Sequence, residues 1–242
     1  MLIAVVNASS LVTNAQVETM CKAIQIQLNL HALPAWNFTG YTVRFYSDET
    51  KVPGYAWIVN IIDNDAQVAG ALGYHDEENG KITAYIMCEP ILSNGGAVLE
   101  FDPNNTSQYT VSATLSHEIL EMVGDRFANG FVQGPQTSAG NLYCQEWCDP
   151  VEGDSYSVSV DGNNVALSNF IFPSWFNPQA TAQFNMPFDY LKKLNAPFTM
   201  TSGGYMIVAT MNNEGQVTAQ HIFGDSCPQW RKNHVRHKMY RR

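Results

Sequence analysis

The sequence predicts an α+β fold, with helices and strands mixed in the first half and mainly loops and hairpins in the second. Three observations indicate this class. Segments with helical and with strand periodicity alternate up to about residue 127, three strand–turn–strand patterns recur, and few helical segments follow residue 128. The length of 242 residues and the hydrophobic content of 45% suit one globular domain, or one domain with a substantial subdomain.

The first elements are a strand, a helix and two further strands. The opening segment MLIAVVNA is apolar and predicts a buried strand. After the cap residue Thr13, apolar residues recur at helical spacing, and Pro34 is expected to close this helix. The segments YTVRFYSDE (41–49) and AWIVNIID (56–63) predict two more strands.

Three hairpins follow from apolar segments that flank turn signals. VAGALGYH and KITAYIMC flank DEENG, YSVSV and VALSNF flank DGNN, and GGYMIVATM and QVTAQHIFG flank NNEG. A loop rich in Asn, Gly, Pro and Ser (93–108) separates the first hairpin from the next predicted helix.

That helix, TLSHEILEMVGD, carries the residues with the strongest chemical signal. At about 100° per residue, its polar side chains fall in one quadrant opposite an apolar arc; they are His117, Glu118, Glu121 and Asp125. An acidic solvent-exposed face is one interpretation. Such faces usually interleave Lys or Arg at i,i+4, and here none appears before Arg126. Three carboxylates and one imidazole on one strip therefore favour a bound cation.

The spacing within this helix supports a metal site. His117 and Glu121 are four residues apart, so their side chains project onto one spot and can share an ion. Glu118 lies off that axis and could orient or deprotonate a bound water, which makes it the candidate general base. A third ligand must come from Asp125, one turn further on, or from another segment.

The segment QEWCDPVEGD supplies the other candidates for the third ligand. It places four carboxylates within nine residues: Glu146, Asp149, Glu152 and Asp154. Asp149 is the first choice, because its cysteine and proline neighbours would hold it stiffly, and Glu146 is the second. An ordinary turn is the alternative, since Asp-Pro and Glu-Gly-Asp are turn-forming sequences. His75 and His221 are further nitrogen donors, but an ordinary position at a strand end is the better interpretation of each.

The order of these elements resembles the zincin fold of metallopeptidases. A strand, a hairpin, a polar loop and then Thr-Leu-Ser-His-Glu-Ile-Leu-Glu follow one another, and Gly124 stands where metzincins place the glycine that ends their helix. The resemblance covers about residues 1–127. It implies a mixed sheet whose edge strand, within VAGALGYH or KITAYIMC, lies over the cleft of a metal-dependent peptidase.

Two departures from the peptidase motif bear on the metal. Glu121 replaces the second histidine of His-Glu-x-x-His; zinc accepts glutamate, but added oxygen ligands also suit Ca²⁺ or Mn²⁺. The third ligand of metzincins would fall at Phe127, which cannot bind a metal. A downstream acidic ligand instead resembles the gluzincin arrangement. A divalent metal is therefore expected, with zinc as the first candidate.

A second resemblance covers nearly the whole chain. SHEILEM, EWCDPVEGDSY, ALSNF, PSWFNP, LNAPFT, GGYMIV and a basic end together resemble a family of bacterial and phage proteins that has no settled activity. This resemblance implies kinship, and with it a link to phage particles, but no reaction.

The charge is unevenly distributed along the chain. The net charge is -9, yet 6 of the 13 Lys and Arg residues lie in RKNHVRHKMYRR, residues 231–242. Three interpretations of this tail remain open: a disordered solubilising end, an arm that contacts nucleic acid or an acidic protein surface, and a segment that docks onto the acidic body of its own chain.

Cysteine usage and hydropathy bear on the compartment. The five cysteines are expected to be small buried residues in a reducing compartment, with a Cys144–Cys148 disulfide as the alternative. No apolar run reaches the roughly 18 residues that cross a bilayer, and the N-terminus has no basic leader. We expect a cytoplasmic or virion-associated protein without a signal peptide, a transmembrane segment or a membrane partner.

These observations divide the chain into three parts and leave two functions. The parts are a zincin-like metal-binding part (1–127), a part rich in hairpins and loops that shares the cleft (128–230), and the basic tail (231–242). The first function is a metal-dependent hydrolase of peptide or amide bonds in a peptide or protein substrate. The second is a non-catalytic structural or accessory protein, such as a virion component with protein neighbours in an assembly, whose metal only stabilises it. An open coordination position that faces a cleft would favour the enzyme.

Overall fold

Helices and strands are both present, and the α+β class is confirmed. The computed structural model describes residues 1–68, 71–101, 109–135, 141–180, 187–211, 214 and 216–232. Within these ranges the strands form a five-stranded, a four-stranded and a two-stranded sheet.

The elements before residue 128 contain the larger sheet. The strands are β1 (Leu2–Asn7), β2 (Thr42–Tyr46), β3 (Trp57–Ile62), β4 (Gly73–Glu78) and β5 (Lys81–Met87). The helices are α1 (Asn14–Gln27), α2 (Leu33–Trp36), α3 (Cys88–Ser93) and α4 (Val111–Gly124).

The elements after residue 128 are mostly strands. They are β6 (Phe131–Gln133), β7 (Asn141–Cys144), β8 (Ser155–Val160), β9 (Asn163–Ser168), β10 (Tyr205–Met211) and β11 (Val217–Phe223), followed by the short helix α5 (Gln229–Lys232). Strands β11, β10, β7 and β6 form the four-stranded sheet in that order, and β8 pairs with β9.

The five-stranded sheet is mixed and has the order β2-β1-β3-β5-β4. Strands β1, β2, β3 and β5 run parallel, whereas β4 pairs antiparallel with β5 and occupies one edge. The strands predicted in MLIAVVNA, at 41–49 and at 56–63 are confirmed as β1, β2 and β3. The edge strand β4 begins inside the segment VAGALGYH.

The three predicted hairpins are confirmed as β4–β5, β8–β9 and β10–β11. Asn79 and Gly80 both have positive φ angles, 53° and 81°, and Asp161 and Gly162 repeat this with 51° and 82°. Two-residue turns of this kind match the right-handed twist of the strands that they join. Residues 212, 213 and 215 of the third turn lie outside the described residues, as do 102–108 of the predicted loop 93–108.

The first helix begins as predicted but does not end at Pro34. Thr13 and Gln16 form a reciprocal capping box at its start. The chain then continues through a π-helical turn, Leu28–Ala32, into α2, which contains Pro34. Proline disfavours a regular α-helical turn before it, and the wider turn changes the hydrogen-bond partners so that the helix can continue. The helix ends at Asn37, which adopts the left-handed conformation with a φ of 55°.

One large buried cluster holds side chains from both sides of residue 128. The apolar arc of α4 contributes Leu115, Ile119, Leu120, Met122 and Val123, and the second part contributes among others Trp147, Phe170 and Trp175. Helix α4 contacts β4, β5, β9 and α1, so its two faces are both covered. No helix within the described ranges is long and apolar enough to cross a bilayer.

Candidate metal centre

The polar quadrant of α4 is buried, so the interpretation as an acidic solvent-exposed face is wrong. The exposed fractions are 7% for His117, 5% for Glu118, 2% for Glu121 and 7% for Asp125. Strand β4 covers this quadrant from one side: a Cβ atom on Gly73 would lie 2.7 Å from Glu118 Oε1. The helical periodicity identified the face, but not the strand and loop that cover it.

The segment after β7 covers the same quadrant from the other side. The backbone N–H of Cys148 lies 3.4 Å from Glu121 Oε1. Trp147 packs so closely on the end of α4 that a Cβ atom on Gly124 would lie 2.4 Å from its indole ring. The absence of a side chain at Gly124 therefore lets the segment QEWCDPVEGD (145–154), called here the acidic segment, approach the helix.

The Glu121 and Asp149 carboxylates both approach one atom of His117. His117 Nε2 lies 3.1 Å from Glu121 Oε1 and 3.2 Å from Asp149 Oδ1. Two ligands of a tetrahedral zinc ion, each about 2.0–2.1 Å from it, lie roughly 3.3 Å apart. Each separation from His117 Nε2 is compatible with two ligand atoms of one ion, and hydrogen bonds from a protonated imidazole would have the same length. A short 3-10 helix, Asp149–Val151, presents the aspartate.

Cys148 belongs to the same group. One ligand atom from each of His117, Glu121 and Cys148 can be chosen so that all lie within 4.8 Å of one another. All five cysteines are buried and none forms a disulfide, so the alternative of a Cys144–Cys148 bond is wrong. The sequence had placed Cys148 only as a stiff neighbour of Asp149.

The two other candidates for the third ligand, Asp125 and Glu146, lie in neighbouring groups. Glu146 groups with His75 and Glu121, and also with Asp125 and Cys144, in each case with ligand atoms within 4.8 Å. The Asp125 carboxylate accepts a hydrogen bond from the Gly130 N–H at 2.6 Å, which ties it to the loop after α4. Of the predicted third ligands, Asp149 is therefore the one that lies beside His117.

His75, which the sequence offered only as a further nitrogen donor, lies in the candidate site. It is 1% exposed and lies within β4 rather than at a strand end, so its interpretation as an ordinary strand-end residue is wrong. Its Nε2 lies 2.8 Å from the backbone oxygen of Asp125, and its Nδ1 lies 3.5 Å from Glu118 Oε2 and 3.9 Å from Glu121 Oε2. A histidine in the predicted edge strand was the available signal. His221, in β11, stacks instead on Phe223.

The positive charges do not lie beside the acids of α4. Among the residues that the structure describes, no Lys or Arg nitrogen lies within 4.0 Å of the Glu118 or Glu121 carboxylate. Arg231, the first residue of the tail, instead donates hydrogen bonds to Glu152 from Nη2 at 2.7 Å and from Nε at 3.0 Å. This arginine docks onto its own chain, while residues 233–242 lie outside the described part.

Electrostatics make the site attract positive charge. Burial raises the pKa of Glu121 well above its ordinary value, and the negative charges of Asp149 and Glu146 raise it further. Burial alone would lower the pKa of His117, but Glu121 and other anionic neighbours raise it well above its ordinary value. Because the pKa values of the acid and the base are both raised, the site favours added positive charge, which can be a proton or another cation between them.

A small cavity adjoins His117 and Glu118. Its volume is about 30 Å³, which is about the space of one water molecule, and Gly73 of β4 forms part of its wall. It shares Tyr109, Gly153 and Asp154 with a larger groove of about 510 Å³. The candidate base and the candidate ligand thus face one water-sized space that borders a groove of ligand size.

Comparison of the chain with protein-family models, with curated proteins and with solved structures gives no match. The resemblances to zincins and to the bacterial and phage family therefore stay predictions, and the functional argument rests on the geometry of the site.

Proposed function

We propose that this protein binds a divalent cation, zinc as the first candidate, through His117, Glu121 and Asp149. The observation that carries the proposal is the convergence of two carboxylate oxygens on His117 Nε2, at 3.1 and 3.2 Å. The three groups are buried, and Glu121 has no Lys or Arg beside it within the described residues. Buried carboxylates that converge in this way are stabilised by a metal or by protons, because isolated buried charge is costly.

We propose further that the site is that of a metal-dependent hydrolase acting on peptide or amide bonds. A bound divalent ion would polarise the substrate carbonyl and lower the pKa of a coordinated water. Glu118 lines the same water-sized cavity as His117, so its carboxylate is placed to accept a proton from a water held there. Gly73 of β4 forms part of the cavity wall, and the groove of about 510 Å³ beside Tyr109 offers room for a substrate.

A second candidate function is favoured by how enclosed the site is. Glu121 and Asp149 are each 2% exposed, and the cavity beside His117 admits about one water but no peptide. A metal held in this way would only stabilise a structural or accessory protein of the cytoplasm or of a virion. Protein neighbours in an assembly, and contact of the 231–242 tail with nucleic acid or an acidic surface, belong to this candidate.

Elemental analysis and one substitution test both candidates. Purified protein is expected to hold a stoichiometric divalent metal that His117→Ala removes. Glu118→Gln is expected to keep the metal and the fold, and to lower cleavage of a mixed peptide library by about 10²- to 10⁴-fold, the usual contribution of a general base. Glu18→Gln, on the exposed face of α1, is the matched control and should change neither.

The contrary results separate the two functions. A metal-loaded protein that cleaves no peptide, or that cleaves equally well with Glu118→Gln, would exclude the hydrolase and leave the stabilising metal. A protein that takes up no divalent metal would exclude both.

A further inference from the structure

The two oxygens of the Glu121 carboxylate face two different imidazoles. Oε1 lies 3.1 Å from His117 Nε2, whereas Oε2 lies 3.9 Å from His75 Nδ1. The two histidines come from α4 and from β4, on opposite sides of the glutamate. This carboxylate therefore borders two separate positions where a cation can lie, and the proposed function uses one of them.

The hydrogen bond of His75 defines which nitrogen is available. Its Nε2 lies 2.8 Å from the Asp125 backbone oxygen, and a carbonyl only accepts, so Nε2 carries the hydrogen. In the neutral ring, Nδ1 then has a lone pair. This is the orientation of many metal-bound histidines, whose second nitrogen donates to a backbone carbonyl.

The Nδ1 atom of His75 is buried and has no hydrogen-bond partner among the residues that the structure describes. It points at negative groups, with Glu118 Oε2 at 3.5 Å and Glu121 Oε2 at 3.9 Å. A lone pair that faces two carboxylates in a buried site is unfavourable unless a positive charge lies between them.

A proton on Nδ1 does not satisfy this arrangement well. The distances of 3.5 and 3.9 Å are longer than a hydrogen bond from nitrogen to a carboxylate. Two ligands at about 2.0–2.2 Å from one ion are 3.9 Å apart, the distance from His75 Nδ1 to Glu121 Oε2, when they subtend an angle of roughly 125–155° at the ion. The separations thus fit a metal ion better than a hydrogen atom.

We propose a second divalent cation site, formed by His75 Nδ1, Glu121 Oε2 and Glu146, with Glu121 bridging the two ions. One ligand atom from each of these three residues lies within 4.8 Å of the others. Ions in two-metal sites are about 3.5–4 Å apart, which one carboxylate can span. One imidazole with two carboxylates suits Zn²⁺ or Mn²⁺. The inference rests on the proposed function only through the sharing of Glu121.

Metal stoichiometry tests the second site. Protein loaded with zinc alone and freed of excess metal is expected to hold two ions per chain by mass spectrometry. His75→Ala and Glu146→Gln are each expected to reduce this to one. His221→Ala, which removes an imidazole from another strand outside the site, is the matched control and should leave two.

The outcomes separate this site from the first one. One ion per chain that His117→Ala removes and His75→Ala leaves would overturn the second site and keep the proposed function. One ion that His75→Ala removes and His117→Ala leaves would support the second site and overturn the first. No bound zinc would overturn both.

A measurement on the unchanged chain avoids dependence on the folding of the variants. Anomalous scattering at the zinc edge is expected to give two peaks, one beside each histidine, about 3.5–4 Å apart. A single peak beside His117 in fully loaded crystals would overturn the second site.

Discussion

Glu121 and Glu152 are both buried glutamates, but they are neutralised in different ways. Glu152 accepts three hydrogen bonds from Arg231, at 2.7, 3.0 and 3.2 Å, and is 6% exposed. Glu121 is 2% exposed and has imidazoles beside both of its oxygens, with no Lys or Arg within 4.0 Å among the described residues. The chain can bring an arginine to a buried acid, and at Glu121 it does not.

The contrast is sharper because Glu121 and Glu152 both lie at the short segment that contains Asp149. Asp149 lies beside His117, and Glu152 caps the 3-10 helix that begins with Asp149. Within one turn of chain, one carboxylate thus joins the candidate metal centre and the other joins a closed ion pair. The difference indicates two roles: Glu152 attaches helix α5 to the body, whereas Glu121 has no Lys or Arg partner among the described residues and can ionise when a cation binds.

The largest expected effect on stability comes from breaking the buried ion pair between Glu152 and Arg231. Glu152→Gln should lower the free energy of unfolding by about 3–5 kcal/mol, because Arg231 would stay buried without its counter-charge. Glu121→Gln in metal-free protein should change it by less than about 1 kcal/mol, because burial already disfavours the ionised acid. Urea unfolding of both variants in a chelator measures the difference. Equal losses would mean that Glu121 is a structural ion-pair residue like Glu152.

The second-largest effect is the increase in the free energy of unfolding when zinc binds. Zinc at 100 times its dissociation constant should raise the free energy of unfolding by about 2.7 kcal/mol, and a chelator should reverse this. Glu152→Gln should keep this increment, whereas Glu121→Gln should lose it. Thermal unfolding with and without zinc is the measurement. A zinc response that survives Glu121→Gln would place the ion elsewhere.

The sequence predicted the neighbours of Glu121 on α4 well and the partner of Glu152 poorly. The helical period alone placed His117, Glu118 and Glu121 on one face, and the stiffness of the Cys148–Pro150 turn selected Asp149. These inferences are local, because a helix fixes the relative directions of its side chains. The pairing of Glu152 with Arg231 joins positions 79 residues apart, and the sequence offered docking of the tail onto its own acidic body only as one of three open interpretations, without naming a partner.

His75 and Pro34 show why other features were not predictable. Whether a histidine in β4 reaches α4 depends on the order and twist of the sheet, which put β4 at the edge beside the helix. Pro34 stops a helix locally, but a π-helical turn before it lets the chain continue. Both outcomes depend on tertiary packing, which one-dimensional periodicity does not contain.

A smaller effect tests how the acidic segment is held against α4. Gly124→Ala should lower the free energy of unfolding by about 1–3 kcal/mol, because the new methyl group would lie 2.4 Å from the Trp147 ring. Displacing Trp147 also displaces Asp149, so zinc affinity should fall while the Glu152–Arg231 pair persists. Gly54→Ala is the matched control, since a Cβ atom there meets nothing within 4 Å. Unchanged zinc affinity in a destabilised Gly124→Ala protein would argue against Asp149 as a ligand.

The smallest effect comes from a half-buried acid that contacts two serine hydroxyls. Asp63 accepts hydrogen bonds from Ser9 and Ser10, which lower its pKa. An acid with a lowered folded-state pKa stabilises the protein above its unfolded pKa of about 3.9, and this contribution is lost as the pH falls through the lowered value. Asp63→Asn should therefore cost less than about 1 kcal/mol of unfolding free energy at pH 7, since solvent screens the half-buried group, and less than that at pH 3, where the unfolded acid is already mostly protonated. Urea midpoints of both proteins at the two pH values measure this difference, and a loss of the same size at both would show that the hydroxyl contacts do not depend on the charge.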